Sequence, residues 1–231
     1  MVVDLVPNRK SSGAQVQSVN VGNLVPNPAK GGVTGFGKRP AEGPVFVSAP
    51  GTDKGKSGVE GDAIGDRAAH GGDDQAVYAF AREDLDDWER ALHRELVNGS
   101  FGENFTTVGL DPNEAFIGER WQVGDRLLLQ VTAPRIPCKT FAARMGVRRW
   151  ARRFTEAGRP GAYLRVLEPG PVCAGDPVRI AHRPAHGVTI SMALFALTLK
   201  PETLTDLVAA WDDLPAETQR NVKERLGCTV R

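Results

Sequence analysis

Glycine and proline recur along most of this chain, and they constrain its fold more than any other feature. The 231 residues include 26 glycines and 16 prolines, which divide the sequence into short segments. The stretch from Asn27 to Gly43 is rich in Gly, Lys and Pro and predicts a long loop, while the run from Pro50 to Gly58 predicts turns. We therefore expect many short elements instead of a long helical bundle.

Short strands and one clear helix are predicted between these turns. Leu85, Trp88, Leu92 and Leu96 recur at helical spacing and predict a helix over residues 83–96. Runs of alternating or continuous apolar residues predict strands at 15–21, 45–47, 105–108, 126–132, 162–167 and 177–181. This mixture predicts a mainly β, α+β fold.

The pattern changes after His186. Thr189 is a candidate helix cap, and Pro201 and Pro215 are each placed to begin a further helix. Three short helices form a unit too small to be very stable alone, so we expect it to pack on the main domain. The predicted organisation is a loose leader (1–14), a β domain (15–187) and a three-helix unit (188–231).

Three short segments combine reactive or polar side chains with residues that fix the backbone. They are His70 to Tyr78, Phe101 to Phe105, and Pro134 to Cys138. The last presents a lone thiol behind two prolines. Because the three segments occur in this order and end on a cysteine, they predict a buried polar site built around sulfur.

Cys138 is the candidate reactive group of that site. A thiolate is a strong nucleophile and a soft metal ligand, and Arg135 or Lys139 could lower its pKa. The alternative is a buried, inert cysteine, since free cysteine is among the most buried residue types. Cys173 and Cys228 have no comparable surroundings, and we expect both to be inert.

The segment that begins at His70 is a candidate anion site. Gly71 and Gly72 would let the backbone come close to a ligand and offer N–H groups to an anion such as phosphate. His70, Asp73 and Gln75 add side-chain donors and acceptors. The alternative is a tight polar turn that leads into a strand.

Glu103 and Asn104 place a carboxylate and an amide at the entrance to a strand. Both types of side chain can hydrogen-bond the N–H and C=O groups at the edge of a heterocycle. An ordinary turn before Phe105 is the alternative.

A group of arginines follows the cysteine. If residues 147–154 are helical, the apolar side chains share one face and the arginines occupy the other, as in a solvated amphipathic helix. The alternative is a rim that faces an anion, either a phosphorylated cofactor or a nucleic acid. These arginines are Arg144, Arg148, Arg149, Arg152 and Arg153.

Charge and hydropathy exclude several classes of partner. The net charge of +1 gives no overall basic field for nucleic acid or anionic membrane. The longest apolar run, residues 192–199, is far shorter than the roughly 18 residues needed to span a bilayer. No signal peptide is visible, and three widely separated cysteines suit a reducing compartment, so we expect a cytoplasmic protein.

At its chemical segments the chain strongly resembles the MOSC domain family, named after molybdenum cofactor sulfurase, and within it the YiiM-like branch. The resemblance runs from about Val16 to Gly227 and includes the helical tail. Its motifs agree in order and spacing, and they are Gly58–Asp62, His70–Val77, Phe101–Leu110 and Pro134–Cys138.

The resemblance implies a distorted β-barrel with added helices and the binding of the pyranopterin molybdenum cofactor. The cysteine at the position of Cys138 coordinates molybdenum in the family, and Arg135 would be a nearby cation. The residues expected to bind the pterin and its phosphate are His70, Gly71, Gly72, Asp73, Gln75, Glu103 and Asn104.

The resemblance also implies an activity, the reduction of N-hydroxylated or N-oxide compounds such as N-hydroxylated purine bases. Electrons would come from a separate donor protein of the flavin or iron–sulfur type, and the sequence carries no motif for either group. Relatives often have a bulkier residue at Lys139, so the substrate preference is left open. The rival hypotheses are a sulfur or cofactor carrier that uses a Cys138 persulfide, and a nucleotide- or nucleic-acid-binding module that uses the arginines.

Overall fold

The computed structural model describes residues 13–52, 54–67 and 70–227. Residues 1–12 of the predicted leader and Cys228 lie outside these ranges, and residues 13 and 14 lead directly into the first strand.

Within the described ranges the chain forms ten strands. They are β1 (Gln15–Pro26), β2 (Val33–Pro40), β3 (Val45–Val47), β4 (Val77–Ala81), β5 (Phe105–Val108), β6 (Arg120–Val123), β7 (Leu127–Pro134), β8 (Ala162–Glu168), β9 (Gly170–Val172) and β10 (Val178–His182). Eight of them make one mixed sheet in the order β10-β6-β7-β8-β4-β5-β1-β2, and β3 and β9 form a separate two-stranded sheet.

The large sheet closes on itself. The Val16 N–H donates to Asp176 O at 2.9 Å, and the Val178 N–H donates to Ala14 O at 2.8 Å. These bonds join the start of β1 to the entry of β10, while β2 extends beyond the closure. The prediction of a mainly β, α+β fold built on a distorted barrel is confirmed.

Among the residues that the structure describes, five α-helices and one long 3-10 segment surround the barrel. The helices are α1 (Arg82–Leu92), α2 (Lys139–Met145), α3 (Trp150–Glu156), α4 (Ile190–Thr198) and α5 (Ala216–Leu226), and the 3-10 segment is Pro201–Asp213. Helix α1 ends four residues earlier than predicted, because His93 adopts a left-handed conformation. Thr189 caps α4 as its sequence indicates, its hydroxyl accepting from the Met192 N–H at 3.1 Å.

The predicted loop 27–43 is wrong, because β2 lies within it and pairs with β1. Its glycines serve close packing. A Cβ added to Gly35 would lie 1.9 Å from Ala63 O, and one added to Gly37 would lie 2.8 Å from a methyl group of Val25. These glycines therefore let neighbouring backbone and side chains approach a strand, while Thr34 and Phe36 point into the protein and are buried.

The helical tail shares the hydrophobic core of the barrel. Ile190, Leu207 and Val222 are completely buried and belong to the same apolar cluster as Val16 and Leu129. The boundary at residue 187 stays a prediction, but the apolar packing continues across it.

A second, aromatic cluster links β2 and β4 to α1, α2 and α3. Phe141 of α2 occupies its middle, with ring centroids 5.7 Å from Phe36, 5.2 Å from Phe101 and 5.4 Å from Trp150. This cluster fixes α2, and therefore Cys138 immediately before it. In the part of the chain that the structure describes, no helix is both long and apolar enough to cross a bilayer.

Candidate functional site

A cavity opens beside Cys138, at the edge of the barrel where β2 meets the start of α2. Its empty space is about 680 Å³, counted up to the open mouth, which lies within the roughly 300–1,000 Å³ typical of ligand pockets. Its walls come from segments far apart in sequence, namely Asn27 and β2, residues 57–66 and 70–75, Tyr78, Gly102 and Asn104, the stretch from Arg135 to Thr140, and Tyr163.

Cys138 is the N-terminal cap of α2. Its Sγ accepts a hydrogen bond from the Phe141 N–H at 3.5 Å. Burial raises the pKa of the Cys138 thiol, but a hydrogen bond with His70, the Phe141 N–H and the charge of Arg135 outweigh burial and lower the pKa to about 7. A large fraction of this half-exposed cysteine is therefore thiolate at neutral pH, the form that binds metals and attacks electrophiles.

Arg135 is a buried cation at the wall of the same cavity, with 5% of its surface exposed. Its guanidinium carbon lies 5.0 Å from the ring centroid of Phe36, 4.8 Å from Tyr78 and 4.4 Å from Phe141. One NH group donates to Phe101 O at 2.5 Å. Among the described residues no carboxylate pairs with this guanidinium, so its charge favours an anion inside the cavity.

Lys38 is the second cation of the cavity, and it is neutralised. Its Nζ lies 2.5 Å from Asp62 Oδ1, with only 8% and 2% of the two side chains exposed. Burial lowers the pKa of Lys38, while Asp62 opposes that change. Asp62 also accepts from the Ser57 hydroxyl at 2.8 Å and the Asn104 amide at 2.9 Å. Arg135, unlike Lys38, therefore keeps its charge available to a ligand.

The structure brings six of the nine predicted site residues to this cavity. Those that line it are Cys138, Arg135, His70, Gly71, Gln75 and Asn104. The remaining three, Gly72, Asp73 and Glu103, are not part of its wall.

Glu103 has a structural role in this geometry. It is completely buried, and its carboxylate accepts from the Gly99 N–H at 2.5 Å, the Phe101 N–H at 3.0 Å and the Thr106 hydroxyl at 3.0 Å. These three donors occupy the oxygens that were expected to face a heterocycle. Glu103 therefore fixes the loop whose carbonyl at Phe101 holds Arg135.

The backbone N–H groups of Gly71 and Gly72 are hydrogen-bonded within the protein. The Gly71 N–H donates to Gln75 Oε1 at 3.3 Å, and the Gly72 N–H donates to Lys56 O at 3.1 Å. A Cβ on Gly71 would lie 2.5 Å from Lys56 O, which explains the glycine by close backbone packing. Asp73 accepts from the Gly51 N–H at 2.9 Å. Both glycine N–H groups thus have acceptors within the protein, and the expected contact of these groups with an anion stays a prediction.

Several lining residues were not found from the sequence. Phe36 and Lys38 lie in the segment predicted to be a loop, and Asp62 ends the Gly58–Asp62 motif, in which no site residue was predicted. Thr34, Phe36 and Lys38 alternate along β2, but the glycines between them hide this signal. Tyr78 ends the first of the three chemical segments without a predicted role, and Tyr163, on the paired strand β8, carried no signal beyond strand propensity.

A second cleft adjoins the cavity, and we call it the tail cleft because Leu197, Pro215, Glu217, Thr218 and Asn221 of the helical tail form one side. It encloses about 960 Å³ and shares His70, Gln75 and Tyr163 with the Cys138 cavity. Its charged groups are paired, Lys54 with Glu217 at 3.0 Å and Asp74 with Arg165. The tail cleft thus offers a largely neutral approach to the cysteine.

The fold and the site define a barrel protein with a thiolate and a buried cation in one ligand cavity. The family model described as "MOSC domain" matches residues 66–179. The chain belongs to the MOSC domain family, whose members are associated in general with the molybdenum cofactor.

Three relatives are similar in sequence. The chain is 35% identical over 160 residues to the uncharacterized protein YflK of Bacillus subtilis (strain 168), covering 69% of each. It is 34% identical over 150 residues to a protein named "Reductase" from Gibberella moniliformis, covering 64% of this chain but 25% of that protein. It is 31% identical over 129 residues to YiiM of Escherichia coli (strain K12), covering 54% of this chain and 57% of YiiM.

A solved structure shares the fold. The crystal structure of YiiM from Geobacillus stearothermophilus superposes with a TM-score of 0.74 at 24% identity, covering 92% of this chain and 99% of that chain. The likeness thus includes both the barrel and the helical tail.

Proposed function

We propose that this chain binds the pyranopterin molybdenum cofactor in the Cys138 cavity and reduces N-hydroxylated or N-oxide compounds. One observation carries the proposal: a half-exposed thiol with a pKa of about 7 lies beside a buried guanidinium that no described carboxylate neutralises. A thiolate is a soft ligand suited to molybdenum, and a fixed guanidinium suits the cofactor's phosphate or another of its anionic groups.

The residues divide between holding the cofactor and shaping its surroundings. Cys138 would hold the metal, and Arg135 would balance negative charge. The three rings around Arg135 keep water from its guanidinium, which strengthens its attraction for an anion. The Lys38–Asp62 pair and Asn104 give the wall a fixed set of polar atoms.

The cofactor, when bound, supplies the redox centre at which oxygen leaves the substrate. In the overall reaction an N-hydroxylamine takes up two electrons and two protons, its N–O bond breaks, and an amine and water form. The protein's part is to admit a small molecule, orient its N–O group and exclude bulk water.

The tail cleft is the approach we assign to that small molecule. It meets the cofactor cavity at His70, Gln75 and Tyr163, which present an imidazole, an amide and a phenol. Such groups can donate to or accept from a hydroxylamine and the ring that carries it. The relative named "Reductase" supports a reduction of this kind.

Metal analysis tests the cofactor assignment. Wild-type protein from a host that makes the cofactor should contain near-equimolar molybdenum and pterin, and Cys138→Ala should lose both. Cys173→Ala is the matched control, since Cys173 is also half-buried but hydrogen-bonds Asp176 outside the cavity. Full molybdenum content in Cys138→Ala would overturn the assignment.

Turnover tests the reaction. Loaded protein should reduce an N-hydroxylated purine base with a chemical reductant, and Cys138→Ala should not. A folded protein without molybdenum that carries an extra sulfur atom on Cys138, detected by intact mass, would replace the reductase with the carrier hypothesis.

A further inference from the structure

The arginines that follow Cys138 form a largely exposed surface on α2, on α3 and on the turn between them, which we call the arginine face (Arg144, Arg148, Arg149, Arg152 and Arg153). Four of them surround a shallow recess of about 700 Å³ together with Glu156. Arg152 pairs with Glu156 at 2.7 Å. In the described part of the chain the other four arginines form no ion pair, so this face carries a concentrated positive charge.

That concentration is unusual for a chain whose net charge is +1. Burial, and then the neighbouring charge of Arg94, lower the pKa of Arg144. An amphipathic helix in water needs only polar residues on its outer side. Four guanidinium groups around one recess instead create a local potential that attracts an anionic surface.

The arginine face is connected to the candidate site through two aromatic side chains. Arg149 is followed by Trp150, which is buried and whose ring centroid lies 5.4 Å from that of Phe141. Phe141 in turn donates its N–H to Cys138 Sγ. A partner bound at this face would therefore lie close to the redox site without covering the tail cleft, with which the recess shares no residue.

We propose that the arginine face docks an acidic electron-carrier protein. The inference rests on the proposed reductase function, because each N–O reduction consumes two electrons and two protons. Two reduced carriers would each lose one electron, two protons would come from solvent, and one water would leave with the amine. Complementary charges raise the rate of encounter and fix the orientation of the two proteins.

The test compares two double variants with the same change in net charge. Arg148→Glu/Arg152→Glu reverses the charge of the arginine face, and Arg120→Glu/Arg179→Glu reverses two exposed arginines on the neighbouring strands β6 and β10. The probe is an acidic flavodoxin with its FMN. We measure its binding to the cofactor-free chain by calorimetry at low and at physiological salt, and then its oxidation by the loaded enzyme.

The control variant should bind the flavodoxin as wild type does, and the arginine-face variant should bind about tenfold or more weakly, with a flatter salt dependence. With a small chemical reductant all three proteins should turn over equally. Equal flavodoxin binding by both variants would overturn the docking site, and so would preference of the wild-type face for a short DNA duplex over flavodoxin. Because binding is measured without the cofactor, this result is separate from failure of the reductase assignment.

Discussion

Arg135 and Cys138 lie three residues apart and face the same cavity, the guanidinium buried and the thiol half-exposed. Pro134 precedes Arg135 and Pro137 precedes Cys138, so a proline restricts the backbone directly before each member of the pair. The charge of Arg135 helps to lower the pKa of the Cys138 thiol. The segment thus presents a thiolate and a cation in a fixed relation, which is what the binding of an anionic metal cofactor requires.

The ionisation of Cys138 can be measured in the cofactor-free protein. With a pKa of about 7, roughly half of the thiol is ionised at pH 7, against a few per cent for an ordinary cysteine with a pKa of about 8.5. Burial and then the hydrogen bond with Asp176 raise the pKa of Cys173. Iodoacetamide at pH 7 should therefore label Cys138 at least tenfold faster than Cys173, as followed by peptide mass spectrometry.

His70 is one of the groups that lower the pKa of Cys138, so its removal should shift the pH dependence of iodoacetamide labelling in a known direction. His70→Ala removes a hydrogen bond that favours the thiolate, so half-maximal labelling of Cys138 should move to higher pH. An unchanged midpoint would show that His70 does not stabilise the thiolate.

Arg135→Met separates anion binding from stability. The substitution removes a buried charge, which is favourable, and a hydrogen bond to Phe101 O, which is unfavourable. The free energy of unfolding of the cofactor-free protein should therefore change by about 1 kcal/mol or less. Inorganic pyrophosphate should raise the melting temperature of the wild type and of Arg120→Met, but it should not raise that of Arg135→Met. Persistence in both variants would contradict the role of Arg135.

Glu103→Ala should lower the free energy of unfolding. It leaves the buried Gly99 and Phe101 N–H groups without an acceptor, which costs about 2–4 kcal/mol in the free energy of unfolding. Glu42→Ala, at an exposed carboxylate, should change it by about 0.5 kcal/mol or less. Urea denaturation measures both values. If the Glu103→Ala protein were as stable as the wild type, the structural role assigned to Glu103 would be contradicted.

Asn221→Trp should narrow the tail cleft, because Asn221 of α5 lines it. We expect the molybdenum content to stay unchanged and the KM for an N-hydroxylated substrate to rise several-fold, since a bulky side chain obstructs the approach. Glu224 is an exposed residue of the same helix that does not line the cleft. The KM of the control variant Glu224→Trp should therefore match that of the wild type. Loss of molybdenum in Asn221→Trp alone would mean that the cofactor itself extends into the cleft.

Local sequence was sufficient for the parts of the site that depend on a few neighbouring residues. The pair Arg135 and Cys138 could be identified because two prolines, a cation and a thiol stand within five residues. Thr189 could be identified as a cap because its hydroxyl bonds within one helical turn. The mainly β fold followed from the frequent glycines, prolines and short apolar runs.

Features that depend on packing between residues far apart in sequence could not be predicted from the sequence. Gly35 looks like a loop residue until Ala63 is placed against it, and only then does β2, with Phe36 and Lys38, become part of the site. Glu103 looks like a ligand until its three donors are known. The tail cleft exists only because residues near 197 and 217–221 return to the neighbourhood of His70.

The shared core of barrel and tail also sets the order of events during synthesis. Leu207 and Val222 fill the same apolar cluster as Val16 and Leu129, so the barrel has its complete interior only after residues up to Val222 have left the ribosome. In the proposed function, cofactor insertion would therefore act on a barrel on which residues up to Val222 have already packed.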